Sequence, residues 1–292
     1  MTKFRTFEIS DPRFESGHLR HVCVKSPALR ARGDITLFVP PGLALKGAAG
    51  SPSGAEGDQN NLPLVILLHG VYGTHWAWAM NGGAHRTAKA LIEAGEIRPM
   101  VLAMPSDGLW GDGSGYLPHS GQDFEAWIVD EVPAAAAEAA PGVTEKSPLF
   151  IAGLSMGGFG ALRLGAKHAG RFRGISGHSS LTDLDQLRQF VAEPFEAYEA
   201  PGEPERSVLH WMRANRAALP PVRFDCGAQD PLVGANRELH QRLETDGIPH
   251  VYEEFPGGHT WDYWREHLAD SLRFFEGCLA SGTSTPRHPC PP

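Results

Sequence analysis

The residues best able to do chemistry lie in one short stretch, Gly153-Leu154-Ser155-Met156-Gly157. An apolar run at 149–152 precedes it and a segment of helical composition follows, which predicts a strand, a tight turn and a helix. This G-x-S-x-G pattern is typical of a nucleophile elbow, in which the glycines let the strand and helix approach closely. We therefore predict that Ser155 is a nucleophile; the alternative is an ordinary glycine-rich loop.

A serine hydroxyl needs a histidine base to attack an ester, and the histidine needs a carboxylate that fixes its tautomer. In a parallel sheet these groups belong on loops at the carboxyl ends of the strands. Asp230 follows a predicted strand at 222–226, and His259 follows another at 250–255. The chain order of serine, acid and histidine is the one expected for such a sheet. The sequence therefore predicts a catalytic triad of Ser155, Asp230 and His259.

Other carboxylates and imidazoles fit this edge of the sheet less well. Asp225 lies inside a predicted strand, and Asp183 lies at the start of a long segment without strand signals. His250 begins its strand and so belongs to the opposite edge. The alternative for Asp230 itself is a helix cap before residue 235.

The oxyanion that forms during acyl transfer needs two backbone donors. One is predicted to be the N–H of Met156, directly after the nucleophile. The other is predicted to be the N–H of Val71, in the loop after a buried strand at 62–68. The alternative for His69-Gly70 is a simple turn that ends the strand.

Aromatic residues on loops at the same edge predict a substrate pocket. Tyr72, Trp110 and Trp261 are the predicted substrate-binding residues. Trp110 stands among glycines that offer little side-chain mass to bury it, whereas Trp78 and Trp264 fit core packing better. With a roof from residues 181–219, we expect a short cleft for acyl chains of about two to six carbons or a small aromatic acid.

The surrounding pattern predicts the elements that position these residues. Strands at 18–25 and 34–39 are expected to pair antiparallel. From residue 62 onward strands and helices alternate, which predicts an α/β fold with a mostly parallel central sheet and helices on both faces. We expect a single domain over residues 1–280. Its irregular parts are expected to be a flexible loop at 41–61, a helical excursion or cap at 181–219 and a disordered tail at 281–292.

Composition narrows the function classes. The 292 residues are 41% hydrophobic and 21% charged, as in an ordinary globular protein, and the net charge of −8 without a basic stretch argues against binding nucleic acid. There is no apolar run of about 18 residues for a membrane span, and the first eight residues have no signal-peptide pattern. The four cysteines are scattered, which favours a reduced, cytoplasmic protein. No metal-binding spacing is present, so we expect no metal and no cofactor.

Taken together, the motifs resemble the esterase D-type family of α/β-hydrolases over about residues 18–277. The matching stretches are His69-Gly70-x-x-Gly73, the elbow with Gly158-Phe159-Gly160-Ala161-Leu162, Gly227-x-x-Asp230 and Gly258-His259-Thr260-Trp261. That family includes tributyrin-type esterases, feruloyl and acetyl xylan esterases, S-formylglutathione hydrolases and mycolyltransferases. The resemblance implies the same triad and the same oxyanion donors.

The function expected from these residues is a serine carboxylesterase for short-chain or small aromatic acyl esters, acting through an acyl-enzyme. The oxyanion loop departs from the Ser-Gly-Leu-Thr-Cys form of S-formylglutathione hydrolases, which argues against a glutathione thioester. Two alternatives remain: an acyltransferase with the same triad, and an inactive binding protein on the same fold. The expected partner is a small-molecule ester; the oligomeric state stays open, a homo-oligomer included.

Overall fold

The computed structural model describes residues 3–42, 61–198 and 202–280. The predicted flexible loop therefore lies largely, and the predicted tail wholly, outside the described residues. The strands are β1 Phe7–Ile9, β2 Leu19–Ser26, β3 Ala31–Phe38, β4 Leu64–Leu68, β5 Val101–Pro105, β6 Leu149–Leu154, β7 Gly174–His178, β8 Val222–Gly227 and β9 Val251–Phe255. The α-helices are α1 Ala77–Met80, α2 Ala84–Glu93, α3 Phe124–Ala126, α4 Val132–Ala139, α5 Met156–Lys167, α6 Gly202–Arg206, α7 Val208–Ala214, α8 Val233–Thr245 and α9 Trp261–Ala280.

The nine strands of the described residues form one sheet in the order β1-β2-β3-β5-β4-β6-β7-β8-β9. The first three strands are antiparallel to their neighbours, β3 against β5 included. From β5 to β9 every pairing is parallel. The predicted mostly parallel sheet with antiparallel N-terminal strands is confirmed, and it brings the carboxyl ends of β4, β6, β8 and β9 to one edge.

The core lies on both faces of this sheet. Every residue of β4 is apolar and buried, as expected of a strand that is covered on both sides. Leu64, Ile66 and Leu68 face one core, which α4 and α5 cover, because alternate residues of a strand point to opposite faces. Val65 and Leu67 face the other core, beneath α2 and α9.

Two elements differ in detail from the sequence pattern. The sequence pattern predicts a helix that Asp123 caps and that runs to about Ala140, with a kink or break at Pro133. Asp123 does cap α3, since its side chain accepts from the Ala126 N–H at 2.8 Å, but the run is not one helix. It contains a π-helical turn at Trp127–Glu131, and Pro133 lies in the first turn of α4, where its missing N–H costs no helical bond. β7 begins two residues later than the apolar pattern at 172–176 suggests, because its pairing with β6 and β8 sets its register.

The described parts of the excursion, residues 181–198 and 202–219, leave the sheet and are mostly helical. Two 3₁₀ helices, Leu184–Gln189 and Phe195–Tyr198, come before α6 and α7. α7 packs against α5, the helix that follows the elbow. The excursion thereby extends from the core to the edge that carries the predicted triad.

No helix within residues 3–42, 61–198 and 202–280 is long and apolar enough to cross a membrane. Cys23, Cys226 and Cys278 are free thiols. No group of three or more histidine, cysteine or acidic side chains in these ranges is arranged to hold a metal ion.

Candidate active site

Ser155 occupies a strained turn between β6 and α5. Its φ is 54° and its ψ is −119°, a backbone conformation that residues with a Cβ rarely adopt. The Ser155 N–H donates to the carbonyl oxygen of His178 at 2.9 Å, which helps to hold the turn. A Cβ at Gly153 would collide with the Gly157 carbonyl, and one at Gly157 would collide with the Leu68 carbonyl. The two glycines are therefore required by close backbone approach.

The fold brings the three predicted triad residues into contact. His259 Nε2 lies 3.0 Å from Ser155 Oγ, and His259 Nδ1 lies 2.8 Å from Asp230 Oδ2. Asp230 Oδ1 accepts a hydrogen bond from the Leu232 N–H at 2.8 Å. Asp230 and Ser155 are buried, whereas His259 is partly exposed, so the imidazole joins the carboxylate to the hydroxyl at the surface of the site.

Two loops that pack on each other position the acid and the base. The Asp230 N–H donates to the Gly227 carbonyl at 2.9 Å, which closes the turn after β8. The Gln229 N–H donates to the Gly257 carbonyl of the other loop at 2.9 Å. A Cβ at Gly227 would collide with that same carbonyl, so the loops approach at backbone distance. His259 is therefore fixed between this contact and the start of α9.

Two aromatic side chains enclose the His259 ring. Phe190 stacks on it nearly parallel, with centroids 5.8 Å apart, and Trp264 meets it edge to face at 4.9 Å. Phe190 ends the first 3₁₀ helix of the excursion. The sequence predicts that the excursion roofs the site, but it does not single out Phe190, because no local motif marks this residue.

The predicted oxyanion donors belong to two segments, the loop after β4 and the first turn of α5. Met156 is the first residue of α5, so its N–H has no acceptor within the helix. In the loop after β4, the N–H groups of Tyr72 and Gly73 donate to the carbonyls of Asp112 and Gly70, at 2.8 and 3.2 Å. Both of these amides are thus committed within the protein, and Val71 offers the preceding N–H of the same loop.

The His69 side chain contacts the backbone of this loop. Its Nδ1 lies 2.7 Å from the carbonyl oxygen of Gly70, the residue before Val71. The buried Tyr116 donates its hydroxyl to the His69 carbonyl at 3.0 Å. The pKa of Tyr116 is well above its usual value, because burial and the nearby Asp107 both disfavour the phenolate. Tyr116 therefore supports the loop from the core as a neutral donor.

A cavity of about 370 Å³ opens over the serine. Ser155 and His259 line it together with Val71 of the oxyanion loop. Its aromatic lining residues are Tyr72, Trp76, Phe190, Trp261 and Trp264. The predicted pocket residues Tyr72 and Trp261 thus lie at this cavity. Trp78 is buried in the core as expected, while Trp264 is buried and also contributes an edge to the lining.

Trp110 requires a correction. It is not among the described residues that line the cavity. Its ring packs instead on His119 at 4.4 Å and on Tyr198 at 5.1 Å between centroids. The glycines beside Trp110 indeed supply no cover, but Tyr198 comes from the excursion 88 positions along the chain and covers it. The structure therefore places Trp110 against His119 and Tyr198, and not at the cavity over Ser155.

The chain is similar in sequence to known esterases. A sequence profile of the family described as "Putative esterase" matches residues 51–275, which is most of the chain. The chain belongs to this esterase family. An acetyl esterase of Caldicellulosiruptor saccharolyticus is 28% identical over 235 residues, which cover 74% of this chain and 84% of the relative. This family membership makes the protein a carboxylic-ester hydrolase.

Solved structures support the same fold. A ferulic acid esterase superposes with a TM-score of 0.71 at 22% identity, covering 94% of this chain and 100% of the other. An S-formylglutathione hydrolase of Staphylococcus aureus has a TM-score of 0.71 at 18% identity, covering 91% and 98%. At these identities the structural similarity establishes the α/β-hydrolase fold. It does not transfer the substrates of these enzymes to this chain.

Proposed function

We propose that this esterase is a serine carboxylesterase that works through an acyl-enzyme on Ser155. The observation that carries the proposal is the line of contacts from Asp230 through His259 to Ser155, at 2.8 and 3.0 Å, on the floor of an open cavity. Such a line is the arrangement that lets an imidazole remove the proton of a serine hydroxyl.

In the acylation step, Ser155 Oγ attacks the ester carbonyl carbon while its proton passes to His259 Nε2. The buried Asp230 keeps the other ring nitrogen protonated and stabilises the imidazolium. The N–H groups of Val71 and Met156 stabilise the oxyanion of the tetrahedral intermediate. The intermediate then collapses: the bond to the alcohol oxygen breaks, His259 returns the proton to that oxygen, and the acyl group stays on Ser155.

In the deacylation step, water takes the place of the alcohol. His259 removes a proton from the water as it attacks the acyl carbon, and the second intermediate releases the carboxylic acid and restores the Ser155 hydroxyl. An alcohol in place of this water would give acyl transfer with the same residues. The partition of acyl product between water and added methanol measures which acceptor the enzyme uses.

The proposed substrates are esters of short-chain or small aromatic acids. The cavity volume of about 370 Å³ is near the small end of ligand sites, and its walls are aromatic. Phe190 stands over the base and limits the depth above the serine. Each methylene that fits against these walls adds up to about 0.8 kcal/mol of transition-state binding, until the wall is met.

The assignment is tested with a fluorophosphonate probe and p-nitrophenyl esters of graded chain length. We expect stoichiometric labelling of the wild type and of a Ser10→Ala control, and no labelling of Ser155→Ala. The same Ser155→Ala substitution should lower kcat by about 10⁴–10⁶. A folded Ser155→Ala protein that keeps more than about a tenth of the activity would disprove the nucleophile assignment.

We further propose that the enzyme works in a reducing, cytoplasmic compartment. The support is that Cys23, Cys226 and Cys278 are free thiols, and free thiols persist where glutathione and thioredoxin keep cysteines reduced. Alkylation of the protein as it is extracted from its own cells tests this proposal. Full labelling of the accessible thiols is expected, and their protection as disulfides would contradict it.

A further inference from the structure

A second serine, histidine and aspartate set lies in the core beneath the proposed triad. His178 at the end of β7 places Nε2 2.9 Å from Ser271 Oγ of α9. Its Nδ1 lies 2.8 Å from Asp225 Oδ2 of β8, a close contact without hydrogen-bond geometry. These separations nearly equal those of the proposed triad. All three residues are completely buried, so no substrate reaches them. The set therefore has the contacts of a triad without access to an ester.

The buried Asp225 carboxylate is compensated by its neighbours. Asp225 also accepts from the Tyr263 hydroxyl at 2.8 Å and from Arg223 at 2.5 Å. Ser271 shares a second hydrogen bond of 2.6 Å with the Ser176 hydroxyl. A buried carboxylate is costly unless it is paired and hydrogen-bonded, and here it is both. The Ser271 hydrogen bond and the close Asp225 contact therefore hold the His178 ring between α9 and β8.

His178 in turn contacts the proposed active site through its own backbone. Its carbonyl accepts the Ser155 N–H, as described above, so the position of β7 sets the position of the nucleophile's amide. The next residue, Ser179, has a positive φ of 46° and accepts a hydrogen bond from the Trp264 indole at 3.2 Å. Trp264 is the residue that meets the His259 ring edge to face. The end of β7 therefore contacts both Ser155 and Trp264, the side chain that packs on the His259 ring.

A third connection reaches the oxyanion loop. The Trp78 ring lies 6.2 Å from the His178 ring, edge to face. Trp78 donates its indole N–H to the Leu68 carbonyl at 2.9 Å, at the last residue of β4. The proposed oxyanion loop starts directly after Leu68. The surroundings of His178 thus border all three parts of the site.

We propose that His178, held by Asp225 and Ser271, is a positioning residue for the esterase reaction. It fixes the end of β7 so that Ser155, His259 and the oxyanion loop keep their mutual distances. This inference rests on the proposed function of Ser155. Since His178 does not touch the substrate, its loss should lower kcat and leave KM almost unchanged. Displacement of reacting groups by less than an ångström is enough for such a loss.

The test compares Ser271→Ala with Ser176→Ala. Both remove one hydroxyl of the same buried pair, but only Ser271 touches His178. We expect Ser271→Ala to lower kcat about fivefold to tenfold at constant KM and to slow fluorophosphonate labelling to the same extent. Ser176→Ala should lower the melting temperature by a similar amount and keep kcat within about twofold of wild type. A His178→Gln variant, where it folds, should lose about 10²-fold in kcat.

The outcomes separate this inference from the proposed function. If Ser271→Ala keeps the wild-type kcat, or if Ser176→Ala loses as much kcat as Ser271→Ala, the positioning role is wrong. The Ser155→Ala and wild-type labelling results decide the proposed function by themselves. Should His178→Gln fail to fold, the comparison of the two serine variants still decides the inference.

Discussion

At the scale of single residues, the proposed site contains a buried carboxylate. Asp230 is only 2% exposed, and each of its oxygens has a defined partner, one on His259 and one on the Leu232 amide. A buried acceptor of this kind fixes one tautomer of the imidazole, the one with its proton on Nδ1. Ser155 then faces the free lone pair of Nε2.

Replacing this carboxylate by an amide of the same shape should therefore be severe. Asp230→Asn keeps the volume but allows the amide to donate to His259, which favours the wrong tautomer. We expect kcat to fall by about 10³–10⁴. Ester hydrolysis and circular dichroism on the same preparation measure the effect and the fold.

A control for this substitution is Asp183→Asn. Asp183 is the acidic residue at the start of the excursion, and its side chain caps the first 3₁₀ helix by accepting from the Asp185 N–H at 3.0 Å. We expect this variant to keep nearly full activity. If Asp183→Asn loses as much kcat as Asp230→Asn, the assignment of the acid has to be revised.

At the scale of elements, a strap at residues 190–193 is tied across the proposed site. Asp112 accepts the Ala192 N–H at 2.8 Å and donates its own N–H to Glu193 at 2.9 Å. The Tyr72 hydroxyl donates to the Phe190 carbonyl. The oxyanion loop, the loop around Asp112 and the excursion are thus joined, and the strap holds Phe190 over His259.

This arrangement predicts that Phe190, and not Trp110, limits acyl length. Phe190→Ala should raise kcat/KM for octanoyl relative to acetyl esters by about tenfold, because removing the ring opens the cavity for further methylenes. Trp110→Ala is the matched aromatic control, and its ratio should stay at the wild-type value. A changed ratio in Trp110→Ala with none in Phe190→Ala would reverse the assignment.

Another link between elements is the ion pair network of Glu125 on α3. Burial by itself raises the pKa of Glu125, but the His168 hydrogen bond and the Arg163 and Lys167 charges outweigh it and lower that pKa to about 2. The Glu125–Arg163 pair, at 2.8 Å, joins α3 to α5. Because the folded pKa lies below the unfolded one, the stabilisation is complete above about pH 4.5 and is lost as the pH falls toward 2.

Glu125→Gln should therefore lower the free energy of unfolding at pH 7 by on the order of 3 kcal/mol. It should also reduce the decline of stability between pH 5 and about 3. Glu93→Gln is the control, since Glu93 forms an exposed pair with Lys89 that contributes at most about 0.5 kcal/mol. Urea unfolding across this pH range measures both variants. An equal effect of the two substitutions would show that the Glu125 network adds no more to the free energy of unfolding than an exposed ion pair does.

At the scale of the whole molecule, the proposed reaction needs only side chains and backbone amides. Dialysis against EDTA in the presence of dithiothreitol should therefore leave kcat within about twofold of its starting value. The measurement is p-nitrophenyl acetate hydrolysis before and after dialysis, with the protein concentration checked. A large loss that Zn²⁺ or Ca²⁺ restores would contradict the proposed mechanism.

The sequence by itself determined the local features of this protein. The turn around Ser155 can be predicted from sequence because close backbone approach excludes a Cβ at Gly153 and Gly157. The glycines that this approach requires are therefore close neighbours of Ser155 in the chain. Asp230 and His259 follow predicted strands, and parallel topology brings the carboxyl ends of strands to one edge. Their contact is found in the structure, while their roles in catalysis stay predictions.

Only the tertiary structure decided which side chains surround the site. Phe190 covers His259 although 69 positions separate them, and Trp110 is covered by Tyr198, because packing partners are chosen by the route of the excursion. The buried contacts of His178 likewise come from two other elements, β8 and α9. Neither pattern nor spacing records such contacts, since they depend on the distance between elements after folding and not on neighbours in the chain.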